Sequence, residues 1–152
     1  MTAPHEATQR LWSALVDVYQ PVLRDVVAAL ERDAGIDSGT YSALAYLDRA
    51  GGRMQLRDLH ELMRVRYSQP GLSRLVQRME AEGIVERRVH PEDRRGTVVA
   101  LTRSGRSRFR RAHDVYTVAL DEHLGANLSP ADAVELTRAL EALGARRAAS
   151  EQ

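Results

Sequence analysis

The chain has 152 residues, 43% of them apolar and 28% charged, which suits one soluble globular domain with a real core. It holds no cysteine, so disulfides, thiolate metal sites and cysteine-based redox sensing are excluded. The net charge of +1 conceals a segregation: Arg53 to Arg111 carries 15 arginines against 7 acidic residues, a balance of +8, while the rest carries 7 arginines against 14 acidic residues. All 22 basic residues are arginine, which reads as genome composition first and as nucleic-acid chemistry second. A cationic middle between anionic ends is an electrostatic footprint for a phosphate backbone.

Residues 6–32 read as a long helix whose wide apolar face includes Leu11, Trp12, Leu15, Val16, Tyr19, Leu23, Val26, Val27 and Leu30. Pro21 lies inside it and predicts a kink near Asp17 to Gln20, because the ring removes one N–H donor and crowds the preceding turn. Asp33 to Gly39 reads as a turn, with Asp37 or Ser38 capping a helix that runs to about Arg49. Gly51 and Gly52 break the chain before an amphipathic stretch marked by Leu56, Leu59, Leu62 and Met63. After the basic turn Arg64 to Arg66, Ser68 can cap a better helix with Pro70 in its first turn. Leu72, Leu75, Val76 and Met79 are its apolar side, and Gly83 is its stop.

The period then changes from helical to strand-like. Ile84 to Val89 and Thr97 to Thr102 flank a polar turn, His90 to Gly96, which is a hairpin with arginines at its tip. Thr102 caps a long helix to about Gly125. Ser129-Pro130-Ala131-Asp132 opens a last helix to roughly Arg147, carrying Val134, Leu136, Ala139, Leu140 and Leu143, with a frayed tail from Ala148. Met1 to Arg10 is polar and no apolar run approaches the roughly 20 residues of a membrane span, so the expected location is the cytoplasm. The fold class is mainly α with a small β-hairpin wing: a winged helix-turn-helix between N- and C-terminal helices. One compact unit divides into residues 1–50, 51–102 and 103–152. The terminal helices are more apolar than a DNA-reading unit requires, which points to packing against a second copy.

The run Ser68-Gln69-Pro70-Gly71-Leu72-Ser73-Arg74-Leu75-Val76, then Glu82-Gly83-Ile84-Val85-Glu86-Arg87, then Pro91-Glu92-Asp93-Arg94-Arg95 with Leu101-Thr102 and Gly105 behind it, resembles the MarR family of bacterial transcriptional regulators. The motifs occupy about a third of the chain; the flanking helices match in length and placement only. The resemblance implies a homodimer on a pseudo-palindromic double-stranded DNA operator, most simply a repressor. One branch of the family senses oxidants through a cysteine, which this chain lacks.

A helix in the major groove reads bases with its N-terminal residues. Ser68, Gln69, Gly71, Leu72, Ser73 and Arg74 occupy that region, where Gln69 suits adenine and Arg74 suits guanine or phosphate. Leu72 fits either a thymine methyl or the core. Arg78, one turn on, suits backbone contact. By resemblance Asp93 orients the wing tip, Arg95 inserts into the minor groove and Arg94 lies on phosphate. Arg103, Arg106, Arg108, Arg110 and Arg111 offer further backbone contacts, although five arginines in nine positions encircle a helix.

The resemblance further implies a small aromatic or phenolic effector held between the dimer helices and the reading unit. Trp12, Tyr19, Tyr46 and Tyr116 are candidate walls, and Arg10 or His113 a candidate partner for a carboxylate. Two other readings compete: a winged-helix protein-interaction module without specific DNA binding, and a metal-responsive regulator. The first would not require Gln69, Arg74 and Arg95 together in a cationic segment. For catalysis there is little: His60-Glu61-Leu62-Met63-Arg64 begins like a zinc-protease motif but places Arg64 where the second histidine belongs. No phosphate-cradling glycine loop or nucleophile elbow is present, and no cofactor is expected.

Overall fold

The computed structural model describes residues 4–89 and 96–150. Helix α1 (Pro4–Ala29) continues through Pro21, and its geometry changes at Leu30–Ala34, a π-helical turn. Gly35 ends that turn at φ 64°, and both its amide and that of Ile36 donate to the Leu30 carbonyl. The left-handed backbone suits glycine, and it reverses the chain so that Ile36 is buried.

Helix α2 (Ser38–Arg49) begins where Asp37 caps it, Oδ1 accepting from the Thr40 amide at 2.9 Å. Strand β1 (Arg53–Gln55) leads directly into α3 (Leu56–Met63), and α4 (Gln69–Ala81) follows the turn at 64–68. Strands β2 (Val85–Val89) and β3 (Thr97–Leu101) form the wing. Helix α5 (Arg103–His123), a 3₁₀ turn at Gly125–Asn127 and α6 (Pro130–Ser150) complete the chain.

Sheet order is β1-β3-β2, both pairings antiparallel, with Met54 opposite Val99 and Glu86 opposite Ala100. The sequence reading anticipates two strands. The third, β1, is three residues long and lacks a β-branched residue, so its pairing with β3 comes from tertiary placement rather than propensity. Along β2, burial falls from Val85 through the exposed Arg87 and Arg88, so the strand leaves the body as it approaches the wing tip.

The core gathers apolar side chains from six parts of the fold: Val26 and Ala29 of α1, Leu44 and Leu47 of α2, Leu59 and Met63 of α3, Leu72, Leu75, Val76 and Met79 of α4, Val85, Val99 and Leu101 of the sheet, and Phe109 and Ala112 of α5. Leu62, expected on the buried side of α3, is 48% exposed, while Leu59 and Met63 carry the helix's burial. Helix α6 buries none of its residues and runs to Ser150, past the fraying expected from Ala148. Among the described residues no helix is long and apolar enough to cross a membrane.

Two close junctions set the wing against the body. Thr102 caps α5, its Oγ1 accepting from the Gly105 amide at 3.0 Å and donating to the Gly83 carbonyl at 2.7 Å. Gly105 lies so close to the Ile84 backbone that a Cβ there would collide with the Ile84 carbonyl oxygen. Backbone has no rotamer with which to yield, so Gly105→Ala should cost about 3 kcal/mol or more of stability, read by denaturant unfolding.

Asp37 supplies a second measurement. Burial alone would raise its pKa, but the hydrogen bonds from Thr40 and the charge of Arg78 outweigh it and hold the carboxyl below its ordinary value. A depressed pKa contributes stability that is present above the unfolded value, near 3.9, and is lost as pH falls through the folded one. Asp37→Asn should therefore remove part of the decline in stability on acidification below about pH 4, followed by thermal unfolding across that range.

Candidate nucleic-acid interface

The reading surface is built on the asymmetry of α4. Ser68 adopts extended backbone and its Oγ accepts from the Gly71 amide at 3.2 Å, which closes the first turn, and Pro70 occupies a position where no amide partner is needed. Leu72, Leu75, Val76 and Met79 are locked in the core, so Gln69, Ser73, Arg74 and Gln77 are turned outward. Leu72 is 1% exposed and belongs to the core. The Gly71 amide serves the cap.

Beside α4 lies a recess of about 280 Å³ in which four elements meet: Gln55 of β1, Leu56, Arg57 and His60 of α3, Gln69, Leu72 and Ser73 of α4, and Gly96 and Thr97 at the base of β3. Helix α3, helix α4 and the base of the wing thus share one face. Sequence reasoning named none of Arg57, His60 and Thr97 as a nucleic-acid contact, His60 entering only through the incomplete zinc-protease motif; their signal for this face was adjacency to the helix-turn-helix. Asp93, Arg94 and Arg95 lie outside the described residues.

The wing is tied to α4 by a second contact. Glu80 accepts from the Arg87 backbone amide at 3.1 Å and from its Nε at 2.7 Å, and this bonding holds the Glu80 carboxyl below its ordinary value. Arg88 pairs with Glu86 within the strand.

Not every arginine of the cationic segment is free to meet an anion. Arg78, expected at the phosphate backbone, donates from Nη2 to Asp37 Oδ2 at 2.7 Å and to Thr40 Oγ1 at 3.3 Å. Arg108 is committed to Glu82 and to the Gly35 carbonyl, each at 3.1 Å. Arg66 donates to Ser38 Oγ at 2.9 Å. Arg103, Arg106, Arg110 and Arg111 are exposed, with the Arg106 guanidinium lying over Gly52.

Of the residues named for an effector, His113 and Tyr116 come together around Tyr41, which the sequence reading did not name. The Tyr41 hydroxyl lies 2.9 Å from His113 Nδ1, its ring stacks on Tyr116 with centroids 4.7 Å apart, and Phe109 packs at 6.0 Å. Burial, with Tyr116 nearby, pushes the Tyr41 pKa well above its ordinary value, so the phenol keeps its proton. Trp12 and Tyr19 are 67% and 62% exposed on α1 and Arg10 is also exposed, whereas Tyr46 packs against the core. Among the described residues no ring contact joins Trp12, Tyr19 or Tyr46 to the stack; Trp12 and Tyr19 lie on the exposed part of α1, and Tyr46 lies on α2. No group of three or more histidine, aspartate or glutamate side chains suited to a metal ion occurs among the described residues.

Comparison with known proteins agrees with this geometry. A model of the MarR family matches residues 34–96. No curated protein matches the sequence. Among solved structures, AbsC, a MarR family transcriptional regulator from Streptomyces coelicolor, aligns with a TM-score of 0.80 at 25% identity over 98% of each chain. Sco3205, another MarR family regulator from Streptomyces coelicolor, solved in complex with DNA, aligns at 0.77 and 23% identity over 95% of this chain and 88% of its own. The organohalide-sensing regulator RdhR-CbdbA1625, solved in its 2,4-dichlorophenol-bound form, aligns at 0.73 and 20% over 91% of this chain and 79% of its own. These relatives are transcription regulators rather than enzymes. The MarR family model thus matches residues 34–96, and the chain around them shares the fold of that family's solved transcriptional regulators.

Proposed function

We propose that this chain is a homodimeric, sequence-specific DNA-binding regulator that represses transcription by occupying a pseudo-palindromic operator, and that a small aromatic or phenolic acid releases it. The observation that carries the reading is α4: a capped helix with its whole apolar stripe buried and Gln69, Ser73 and Arg74 displayed on its first turns beside the wing base. Gln69 suits bidentate contact with adenine, and Arg74 contact with guanine or a phosphate. Ser68 and Gly71 hold the helix end that favours a nearby phosphate. Asp93, Arg94 and Arg95 enter by resemblance as the wing tip, with Arg95 in the minor groove. The Sco3205 complex with DNA, and that of an E. coli MarR mutant with operator DNA, lend weight to this reading.

Dimerisation is supported by what α1 and α6 leave uncovered. Leu11, Trp12, Val18 and Tyr19 of α1 are more than half exposed, and Val134, Leu136, Leu140 and Leu143 of α6 are about half exposed. Two long helices with such faces are costly in water unless covered, and a two-fold partner presenting the same faces covers both at once. Two reading helices about 34 Å apart would then meet successive major grooves.

The effector reading is supported by the Tyr41, His113 and Tyr116 stack, which joins α2 to α5 and offers ring faces and an imidazole to an aromatic acid. Arg10, Trp12, Tyr19 and Tyr46 would join such a site only through the dimer. A ligand that prefers one spacing of the reading heads shifts the dimer towards it and lowers operator affinity by the same differential.

Fluorescence anisotropy with DNA from upstream of the chain's own gene tests the function. Binding that resists competitor DNA and weakens with salt at a slope of about −0.9 per phosphate contacted is the expected result; equal, weak binding to unrelated DNA would reject a specific operator there. Gln69→Ala, Arg74→Ala and Arg95→Ala should each weaken operator binding by roughly 1–3 kcal/mol. Leu140→Arg should yield a monomer by light scattering and abolish tight operator binding together.

A further inference from the structure

Arg78 shares a helix stripe with Arg74, one turn earlier, yet the two have different surroundings. Arg74 is exposed and has no acidic partner among the described residues. Arg78 is joined to Asp37, which lies 41 positions earlier in the chain, and the pair is only about half exposed. Asp37 is held rigid in turn: one carboxylate oxygen accepts from the Thr40 amide at 2.9 Å, and the other from Thr40 Oγ1 at 2.8 Å and from Arg78 at 2.7 Å. The Thr40 side chain that completes this triangle belongs to a buried residue.

The same turn of α2 receives two further contacts from the segment that leads into α4. Arg66 donates to Ser38 Oγ, and the Tyr67 hydroxyl lies against Gly39 where any Cβ would displace it. Helix α4 is therefore seated on α2 at two places, just before its start and near its end. Arg78 lies about 13 Å along the axis from Gln69, taking 1.5 Å per residue. A tilt of about 10° over that lever moves Gln69 by roughly 2 Å, more than a hydrogen bond to a base edge tolerates. One turn beyond Asp37 on α2, Tyr41 is bonded to His113 of α5, so the first turns of α2 lie between the reading helix and the helix that packs on α1.

Resting on the DNA-binding reading above, we propose that Arg78 is a positioning residue rather than a phosphate contact: its ion pair with Asp37 sets the pitch of α4 on α2 and so aims Gln69 and Ser73 at the bases. The two roles differ in the sign of one effect. If Arg78 binds phosphate, Asp37 competes with DNA for it, and removing the carboxylate charge tightens binding. If the pair is a latch, removing that charge weakens binding although the protein becomes more positive.

Operator binding is measured by anisotropy at several salt concentrations for the full chain, Asp37→Asn, Arg78→Gln and the double variant. Asparagine retains the helix cap while deleting the charge. The expected result is a two- to fivefold loss for each single variant, the range for partly exposed ion pairs, with an unchanged salt slope and a double variant no worse than either single one. A slope reduced in magnitude by about 0.9 in Arg78→Gln, together with equal or tighter binding by Asp37→Asn, would overturn it in favour of a phosphate contact. If the unmodified chain binds no operator, the regulatory reading fails, and the latch is judged by thermal unfolding: non-additive losses retain the seat of α4 on α2, and additive losses reject it.

Discussion

The burial of Leu72, Leu75, Val76 and Met79 is the constraint on which the interface depends. Four apolar side chains at helical spacing cannot be returned to water without losing about 1.5 kcal/mol or more each, so the rotation of α4 about its own axis is settled. Once that rotation is settled, Gln69, Ser73 and Arg74 have one direction in which to point, and it is away from the core. Polar contacts add what the apolar stripe cannot, namely tilt and register. Glu80 holds the base of the wing through Arg87, Thr102 joins the start of α5 to the stop of α4, and Asp37 holds the far end of α4 through Arg78.

A division of labour among the arginines follows. In the sequence they form one cationic segment, and the simplest electrostatic reading treats them alike. In the folded chain Arg66, Arg78, Arg87 and Arg108 are engaged with side chains or carbonyls of other elements, while Arg74 and several arginines of α5 are left to solvent. The engaged group organises the reading unit; the free group supplies the field that a phosphate backbone would meet.

Helix α2 occupies the position between these tasks. Its first turn receives the reading helix, and Tyr41, one turn on, meets the aromatic stack of α5. Helix α5 packs in turn against α1 and its π turn. A shift between α5 and α2 is therefore felt at α4 through few intermediates. Ligand-linked regulation as proposed above would act through this chain of contacts.

The sequence alone determined those features that rest on local chemistry: the caps at Ser68 and Thr102, the stop at Gly83, the stripe of α4 and the change from helical to strand period, because each is decided by neighbours a few residues apart; of the two caps it offered for α2, the structure selects Asp37. Tertiary structure decided what depends on long-range partners. Strand β1 exists because β3 is beside it, Leu62 is exposed while Leu59 and Met63 of the same helix are buried, and Leu72, which suits core or groove equally by composition, is core because α4 packs against α2, α3 and β2. The partner of Arg78 was decided in the same way. The spacing of that arginine from Arg74 is visible in the chain, but the carboxylate that holds it lies 41 residues away, and only folding brings the two charges to 2.7 Å.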